Sequence, residues 1–75
     1  MANRFYFHLI DGKQRIVDLV GIEMPDEAAL WREPLKLVID RWPTTRDAKV
    51  RSEWSVEIVD GGGRVVLLMP LDELD

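Results

Sequence analysis

Alternating apolar and polar positions predict two strands within the first twenty residues. Residues 4–10 (RFYFHLI) are rich in aromatic and branched side chains, which is typical of a strand. Asp11-Gly12 then favours a tight hairpin of type I′, because glycine adopts positive φ freely and aspartate tolerates it. A second strand over residues 14–20 alternates less regularly, which suits an edge strand. The alternation places two sets of first-strand side chains on opposite faces. We expect Phe5, Phe7 and Leu9 to face the helix, and Tyr6, His8 and Ile10 to lie on the other face of the sheet.

Apolar residues spaced three and four apart predict a helix after this hairpin. Pro25-Asp26 begins it, with Asp26 as the N-cap, and Pro43 ends it because proline disfavours helical geometry at the residue before it. The spacing is that of a helix packed on a sheet. The stripe expected to face the sheet consists of Ala28, Trp31, Leu35, Val38, Ile39 and Trp42.

Pro34 interrupts this helical pattern and allows two interpretations. The stripe continues in register from Trp31 to Leu35, which favours one continuous helix kinked at Pro34. The alternative is a helix that starts at about Glu33, with Pro34 in its first turn. In the continuous helix, Leu30 and Leu37 lie roughly opposite the stripe, so we expect both to be exposed and available for an interaction.

The second half of the chain predicts another hairpin. Residues 43–53 read as a polar loop, and residues 71–75 as an acidic tail. Between them, residues 54–59 form a strand with Trp54, Val56 and Ile58 on its packed face. A turn at residues 60–63 leads to a last strand, residues 64–69, which is apolar on both faces.

The resulting order, β-β-α-β-β, predicts an α+β fold. We expect a four-stranded, mainly antiparallel sheet made of two hairpins, with one helix packed on one face. The first and last strands are the most apolar of the four, so we place them at the centre of the sheet.

Three segments together resemble a family of short alphaproteobacterial, especially rhizobial, domains of unknown function. They are RFYFHLIDG at the start, DLVGIEMPD before the helix, and WSVEIVDGGGRVVLLMP at the end. The resemblance spans nearly the whole chain except residues 43–53, and implies a small α+β domain of bacterial origin. It carries over no activity and no site residue. The chain departs from the family pattern at Pro34, where the family usually has a helix former.

Composition restricts the class of protein further. Seventy-five residues, 47% of them apolar and 32% charged, make one small globular domain, residues 1–75. The chain has no cysteine, which excludes disulfides and thiolate chemistry. It shows no signal peptide and no membrane span, so we expect a cytoplasmic domain. A formal net charge of −4 argues against general nucleic-acid binding.

His8, the only histidine, is the first candidate for chemistry. A metal site would need further ligands, and only carboxylates such as Asp11 or Asp18 are at hand. A half-exposed strand residue is the simpler interpretation. The glycines of the second turn lie between two strands, which excludes a phosphate loop. The acidic residues before the helix lack a calcium-loop pattern, and no nucleophilic triad is recognisable. We therefore predict no enzyme activity, no cofactor and no metal.

A basic segment flanked by tryptophans is the second candidate. Residues 41–51 carry four basic side chains against Asp47 alone, with Trp42 and Trp54 on either side. This imitates a nucleic-acid platform of stacking rings and cations. Both tryptophans also fit apolar stripes, which favours the core and makes nucleic-acid binding the less favoured interpretation. The basic residues are Arg41, Arg46, Lys49 and Arg51.

The leading functional hypothesis is a non-catalytic interaction module that self-associates as a homodimer or binds a protein partner. A small domain gains stability from a partner, and a two-fold dimer uses one patch twice. The alternatives are a regulator that contacts nucleic acid through residues 41–51, and a small-ligand binder or enzyme with a pocket near His8. The residues proposed for interaction are Leu30, Leu37, Tyr6, His8, Arg46, Lys49 and Arg51.

Overall fold

A computed structural model describes residues 3–74, and Asp75 of the predicted acidic tail lies outside them. Five strands form one antiparallel sheet, and three short helices pack with it. The predicted α+β class and antiparallel sheet are confirmed. The strands are β1 (Asn3–Ile10), β2 (Arg15–Ile16), β3 (Ile22–Met24), β4 (Ser55–Asp60) and β5 (Val65–Pro70). The helices are α1 (Glu27–Leu30), α2 (Pro34–Arg41) and α3 (Ala48–Glu53), with short 3-10 turns at Pro43–Arg46 and Leu71–Glu73.

The two hairpins join through the first strand of each hairpin, β1 and β4. The strand order is β2-β1-β4-β5, and β3 also pairs with β1, at the other end of the same edge as β2. The central strands are therefore β1 and β4, which pair over six residues from Phe5–Asp60 to Ile10–Ser55. The prediction that the last strand is central was wrong. Its apolar character on both faces reflects an exposed edge, since Val65 and Leu68 are open to solvent.

The core lies between the sheet and the helices, on the face that the strand alternation predicts. Phe5, Phe7 and Leu9 of β1 are buried there with Val56 and Ile58 of β4. On the helical side, the buried members of the same cluster are Met24, Leu30, Val38 and Leu71.

The turn at Asp11 differs from the predicted type I′ turn. No residue other than glycine has positive φ within the described chain, and Gly12 does not have it either. Instead Asp11 Oδ1 accepts hydrogen bonds from the backbone N–H groups of Lys13 and Gln14, at 2.7 and 2.6 Å. An aspartate that caps its own loop thus replaces the predicted two-residue turn. The second turn closes in the same way, with Asp60 Oδ1 accepting from Gly62 and Arg64.

The predicted second strand over residues 14–20 is split in two. Only Arg15–Ile16 and Ile22–Met24 pair with β1, and the chain between them leaves the sheet. Gly21 provides the return, with a φ of +73°. This conformation is left-handed, and glycine adopts it at little cost.

The helix breaks at Pro34, so the continuous kinked helix was wrong. Proline has no N–H to donate to the Leu30 carbonyl, and α1 ends at Leu30. The chain then restarts as α2 with Pro34 in its first turn, which was the alternative interpretation. The break shifts the helical phase: Leu30 becomes fully buried, whereas Trp31 is 47% exposed.

Two further expectations need correction. Residues 43–53 do not form a polar loop, because Asp47 caps α3 by accepting from the Lys49 backbone N–H at 2.8 Å. The predicted acidic tail begins with Leu71, which is fully buried in the core. The predicted N-cap Asp26 is confirmed, since its carboxylate accepts from the Ala29 N–H at 3.1 Å.

The burial of Leu30 predicts a large loss of stability on truncation. We expect Leu30→Ala to lower the free energy of unfolding by about 3 kcal/mol, because it removes apolar contacts and leaves a cavity. Leu19→Ala is the matched control, since Leu19 is 85% exposed; its effect should stay within about 0.5 kcal/mol. Urea denaturation measures both, and equal effects would contradict this placement of Leu30.

The backbone at Gly21 predicts a second, graded effect. A Cβ on Gly21 would lie 2.8 Å from the Phe5 carbonyl oxygen, in addition to the strain of positive φ. Gly63 has a φ of +87° but open space around it. We therefore expect Gly63→Ala to cost about 1 kcal/mol from backbone strain alone, and Gly21→Ala to cost more. Thermal unfolding of the two variants should rank them in that order.

Candidate functional site

The outer edge of β1 has a gap in its strand pairing that side chains fill. β3 pairs with β1 up to Phe5, and β2 pairs with it only from Leu9. Between them, the Phe7 N–H donates to Asp18 Oδ2 at 3.0 Å, and the Phe7 carbonyl accepts from Trp42 Nε1 at 2.6 Å. A carboxylate and an indole thus take the place of a neighbouring strand.

Asp18 is the hub of this edge. Its side chain is fully buried, and it accepts from the backbone N–H groups of Phe7, Val20 and Gly21. Arg41, at the end of α2, adds a charged hydrogen bond from Nε to Oδ1 at 2.7 Å. The Arg41 guanidinium also lies 4.3 Å from the centre of the Trp42 ring, within cation–π range. A buried charge needs such partners, and Asp18 has all of them from its own chain.

Asp18 therefore keeps its charge to a lower pH than an ordinary aspartate. Burial alone would raise its pKa, but the N–H groups of Gly21, Phe7 and Val20, with the Arg41 side chain, together lower the pKa below its ordinary value. Every one of these donors stabilises the charged form. The arrangement resembles a structural anchor more than a reactive acid.

His8 is attached to the same hub. Its Nδ1 accepts from the Asp18 backbone N–H at 2.9 Å, which requires the neutral ring with its proton on Nε2. His8 is only 9% exposed, so the predicted half-exposed residue is in fact buried. Its cross-strand neighbour Glu57 is bound by Arg15 at 2.5 Å. Residues 3–74 contain no group of three potential metal ligands close together.

The basic segment is largely engaged inside the protein. Arg41 binds Asp18, and Arg51 donates to the carbonyls of Thr45 and Arg46 at 2.7 and 2.6 Å. Trp42 and Trp54 pack partly against the core. Arg46 and Lys49 are the predicted basic residues that remain exposed. The structure therefore does not place stacking rings between free cations.

The predicted leucine patch does not exist as a surface. Leu30 is fully buried, and Leu37 is partly buried against the core. Tyr6 is half-buried on the uncovered face of the sheet, beside His8. The structure thus brings Tyr6 and His8 together, and separates both from Arg46 and Lys49.

Two exposed apolar surfaces were missed by sequence reasoning. The first is the segment Ile16–Val20, in which Asp18 points inward and the four apolar side chains are exposed. The second is the free edge of β5, where Val65 is 51% and Leu68 60% exposed. Sequence signals existed for both: poor alternation in IVDLV, and apolar residues on both faces in VVLLM. The first signal was interpreted as an edge strand, and the second as a central strand.

A groove runs beside the free edge of β5. It has a volume of about 410 Å³ and lies between the α1–α2 junction and the helix-facing side chains of β5. Trp31 and Pro34 form one wall, and Leu67 and Met69 form the other. Aromatic and methionine side chains of this kind are enriched at protein interfaces.

Most of the chain matches a known protein family. The family model described as a domain of unknown function, DUF6894, matches residues 4–72. The chain belongs to the DUF6894 family. The match extends through residues 43–53, which lay outside the resemblance noted from the sequence. The alphaproteobacterial origin of the chain, which the resemblance implies, stays a prediction. Searches of curated proteins and of solved structures each found no match to this DUF6894 domain.

The helices described within residues 3–74 are all too short or too polar to reach across a lipid bilayer.

The role of Asp18 predicts a pH-dependent loss of stability. Because its pKa is lowered in the folded state, its contribution is complete above the unfolded value of 3.8 and disappears as the pH falls through the lower, folded pKa. We expect Asp18→Asn to cost about 3 kcal/mol at neutral pH, since it leaves the partly buried Arg41 charge unpaired and replaces the Oδ2 that accepts from the Phe7 N–H with an NH2 group. The difference from the wild type should shrink as the pH falls below 3.8 and through the lower, folded pKa of Asp18.

Urea denaturation across this pH range measures the effect. Asp40→Asn is the matched control, because Asp40 is an exposed aspartate on α2. It removes the same charge, and its difference from the wild type should stay small at every pH. A constant difference between Asp18→Asn and wild type from neutral to acid pH would show that the carboxylate charge is not what stabilises this edge.

Proposed function

We propose that this domain is a non-catalytic interaction module that associates with a second copy of itself through the free edge of β5. The observation that carries the proposal is the pairing of β5 within residues 3–74, which is with β4 alone. The backbone groups on its other side have no strand partner. Such an edge can add a strand from another chain, with main-chain hydrogen bonds supplying affinity.

The residues of β5 support this function. Proteins usually protect a free edge with charges or prolines, but residues 65–69 (VVLLM) contain neither. Arg64 precedes them and is held by Glu27 and Asp60 at 2.6 and 3.1 Å. A bulge lies next to the turn, and Pro70 ends the strand. The bulge and Pro70 limit pairing to the middle of β5 but do not prevent it.

The opposite edge of the sheet serves as a contrast. There the N–H and carbonyl of Phe7 that face away from β4 are already bonded to the side chains of Asp18 and Trp42. A partner strand would have to displace a buried, charged network to pair with β1. Strand addition is therefore favoured at β5.

The two alternative functions receive less support from the geometry. His8 uses Nδ1 in a structural hydrogen bond and is only 9% exposed, which leaves Nε2 alone for any chemistry. Nucleic-acid binding would rest on Arg46 and Lys49, against a net charge of −4. Neither alternative has an arrangement comparable to the β5 edge.

A charged substitution in the middle of β5 tests the proposal. We expect the wild type to form concentration-dependent dimers, and Leu68→Lys to weaken dimerisation at least about tenfold, or 1.4 kcal/mol. The substitution places like charges on the pairing edges of both copies and removes apolar contact. Sedimentation velocity across a range of concentrations provides the measurement.

Leu19→Lys is the matched control, since it changes another exposed leucine, in the segment between β2 and β3, and should leave dimerisation unchanged. Both positions are exposed, so both variants should keep the wild-type circular dichroism spectrum. A wild type that sediments as a monomer up to about 1 mM, where the binding free energy would be no better than about −4 kcal/mol, overturns the proposed function.

A further inference from the structure

The alternation of hydrogen bonds across the sheet identifies which β5 residues face outward. Phe7 directs its N–H and carbonyl away from β4, toward Asp18 and Trp42. In an antiparallel sheet these directions alternate along each strand. Following the pairs Phe7–Ile58 and Ile58–Leu67, the backbone of Leu67 faces β4 and that of Leu68 faces outward. The Leu71 N–H bond to the Trp54 carbonyl, at 3.0 Å, agrees with this alternation.

Leu68 is thus the residue of β5 that presents both free backbone groups and an exposed side chain at mid-strand. Pro70, the next outward position, has no N–H to donate. Val66, the preceding one, adjoins the irregular register at the β4–β5 bulge. Two copies related by a two-fold axis can exchange two hydrogen bonds at Leu68.

We propose that two copies pair antiparallel along β5 with Leu68 opposite Leu68 of the second copy. This inference rests on the self-association proposed above and specifies its register. Directly opposite side chains share a face of a sheet, so a two-fold pairing that continues both faces must be centred on a residue. Only a few registers are then available.

Hydrogen-bonding capacity distinguishes between these registers. Centring on Leu68 pairs the outward N–H and carbonyl of each Leu68 with those of the other copy. Centring on Met69 would pair them with Pro70, which has no N–H. Centring on Leu67 would pair them with Val66, which adjoins the irregular register at the bulge.

The groove beside β5 fits the same register. On the helix side, Met69 of the second copy comes opposite Leu67, one of the residues that line the groove with Trp31 and Pro34. On the uncovered side, the exposed leucine at position 68 meets its own copy. Each face of the new strand pair thus covers apolar surface that is open in the single chain. The partner that this edge fits is a second copy of the chain.

Single-cysteine variants test the register, because the chain has no cysteine of its own. In a pairing centred on Leu68, the two residues at position 68 lie within the Cα separation of about 4.4–6.8 Å that a disulfide spans. We expect Leu68→Cys to form a covalent dimer on mild oxidation. Val65→Cys is the matched control: it is comparably exposed, but its two copies would lie about 20 Å apart along the strands, three residues on either side of the axis.

Each outcome bears on the register. A covalent dimer of Leu67→Cys in place of Leu68→Cys overturns this register and leaves the proposed self-association standing. Equal crosslinking of Val65→Cys and Leu68→Cys shows that collisions form the disulfide, and overturns the inference. Dimers by sedimentation without any Leu68→Cys crosslink overturn it as well. A monomeric wild type removes both proposals.

Discussion

The backbone of Phe7 is the point on which the described structure depends. A central strand has hydrogen-bonding groups on both sides, and an unpaired buried group costs free energy comparable to a lost hydrogen bond. β4 satisfies one side of β1, whereas Asp18 and Trp42 satisfy the other at this residue. These two side chains come from the link between β2 and β3 and from the end of α2. One residue therefore ties the sheet, a loop and a helix together.

This solution makes the two edges of the sheet different. At β1 the free groups are used by buried side chains, and the apolar residues of the adjacent segment Ile16–Val20 project outward because Asp18 points in. At β5 no other part of residues 3–74 covers the free groups with a strand, and the exposed side chains continue the strand's own apolar sequence. An interaction that uses main-chain pairing is thus directed to one edge. The other edge can offer only side chains.

The parts of the fold that depend on local pattern were predictable. Alternation placed Phe5, Phe7 and Leu9 on the core face, and aspartate and glycine marked both turns. The apolar stripe did not predict which helical residues are buried, because the helix breaks at Pro34. A continuous helix would bury Trp31 and expose Leu30, whereas the structure buries Leu30 and exposes Trp31. From the sequence, Asp18 was considered only as a possible metal ligand beside His8, because its partner Arg41 lies twenty-three residues away. The exposure of β5 was missed because apolar residues on both faces suit a central strand as well as a free edge.

The pairing of β1 with β4 also determines how the domain reaches its folded state. This central pair joins Phe5 to Asp60 and Ile10 to Ser55, so its contacts close a loop of about fifty residues before β5 can add to the sheet. The hairpin of β1 and β2 pairs over two residues only and cannot hold the sheet by itself. Proteins dominated by such distant contacts fold more slowly than helical bundles of equal size. During synthesis, therefore, β4 cannot cover the aromatic side chains of β1 until residues 55–60 have left the ribosome.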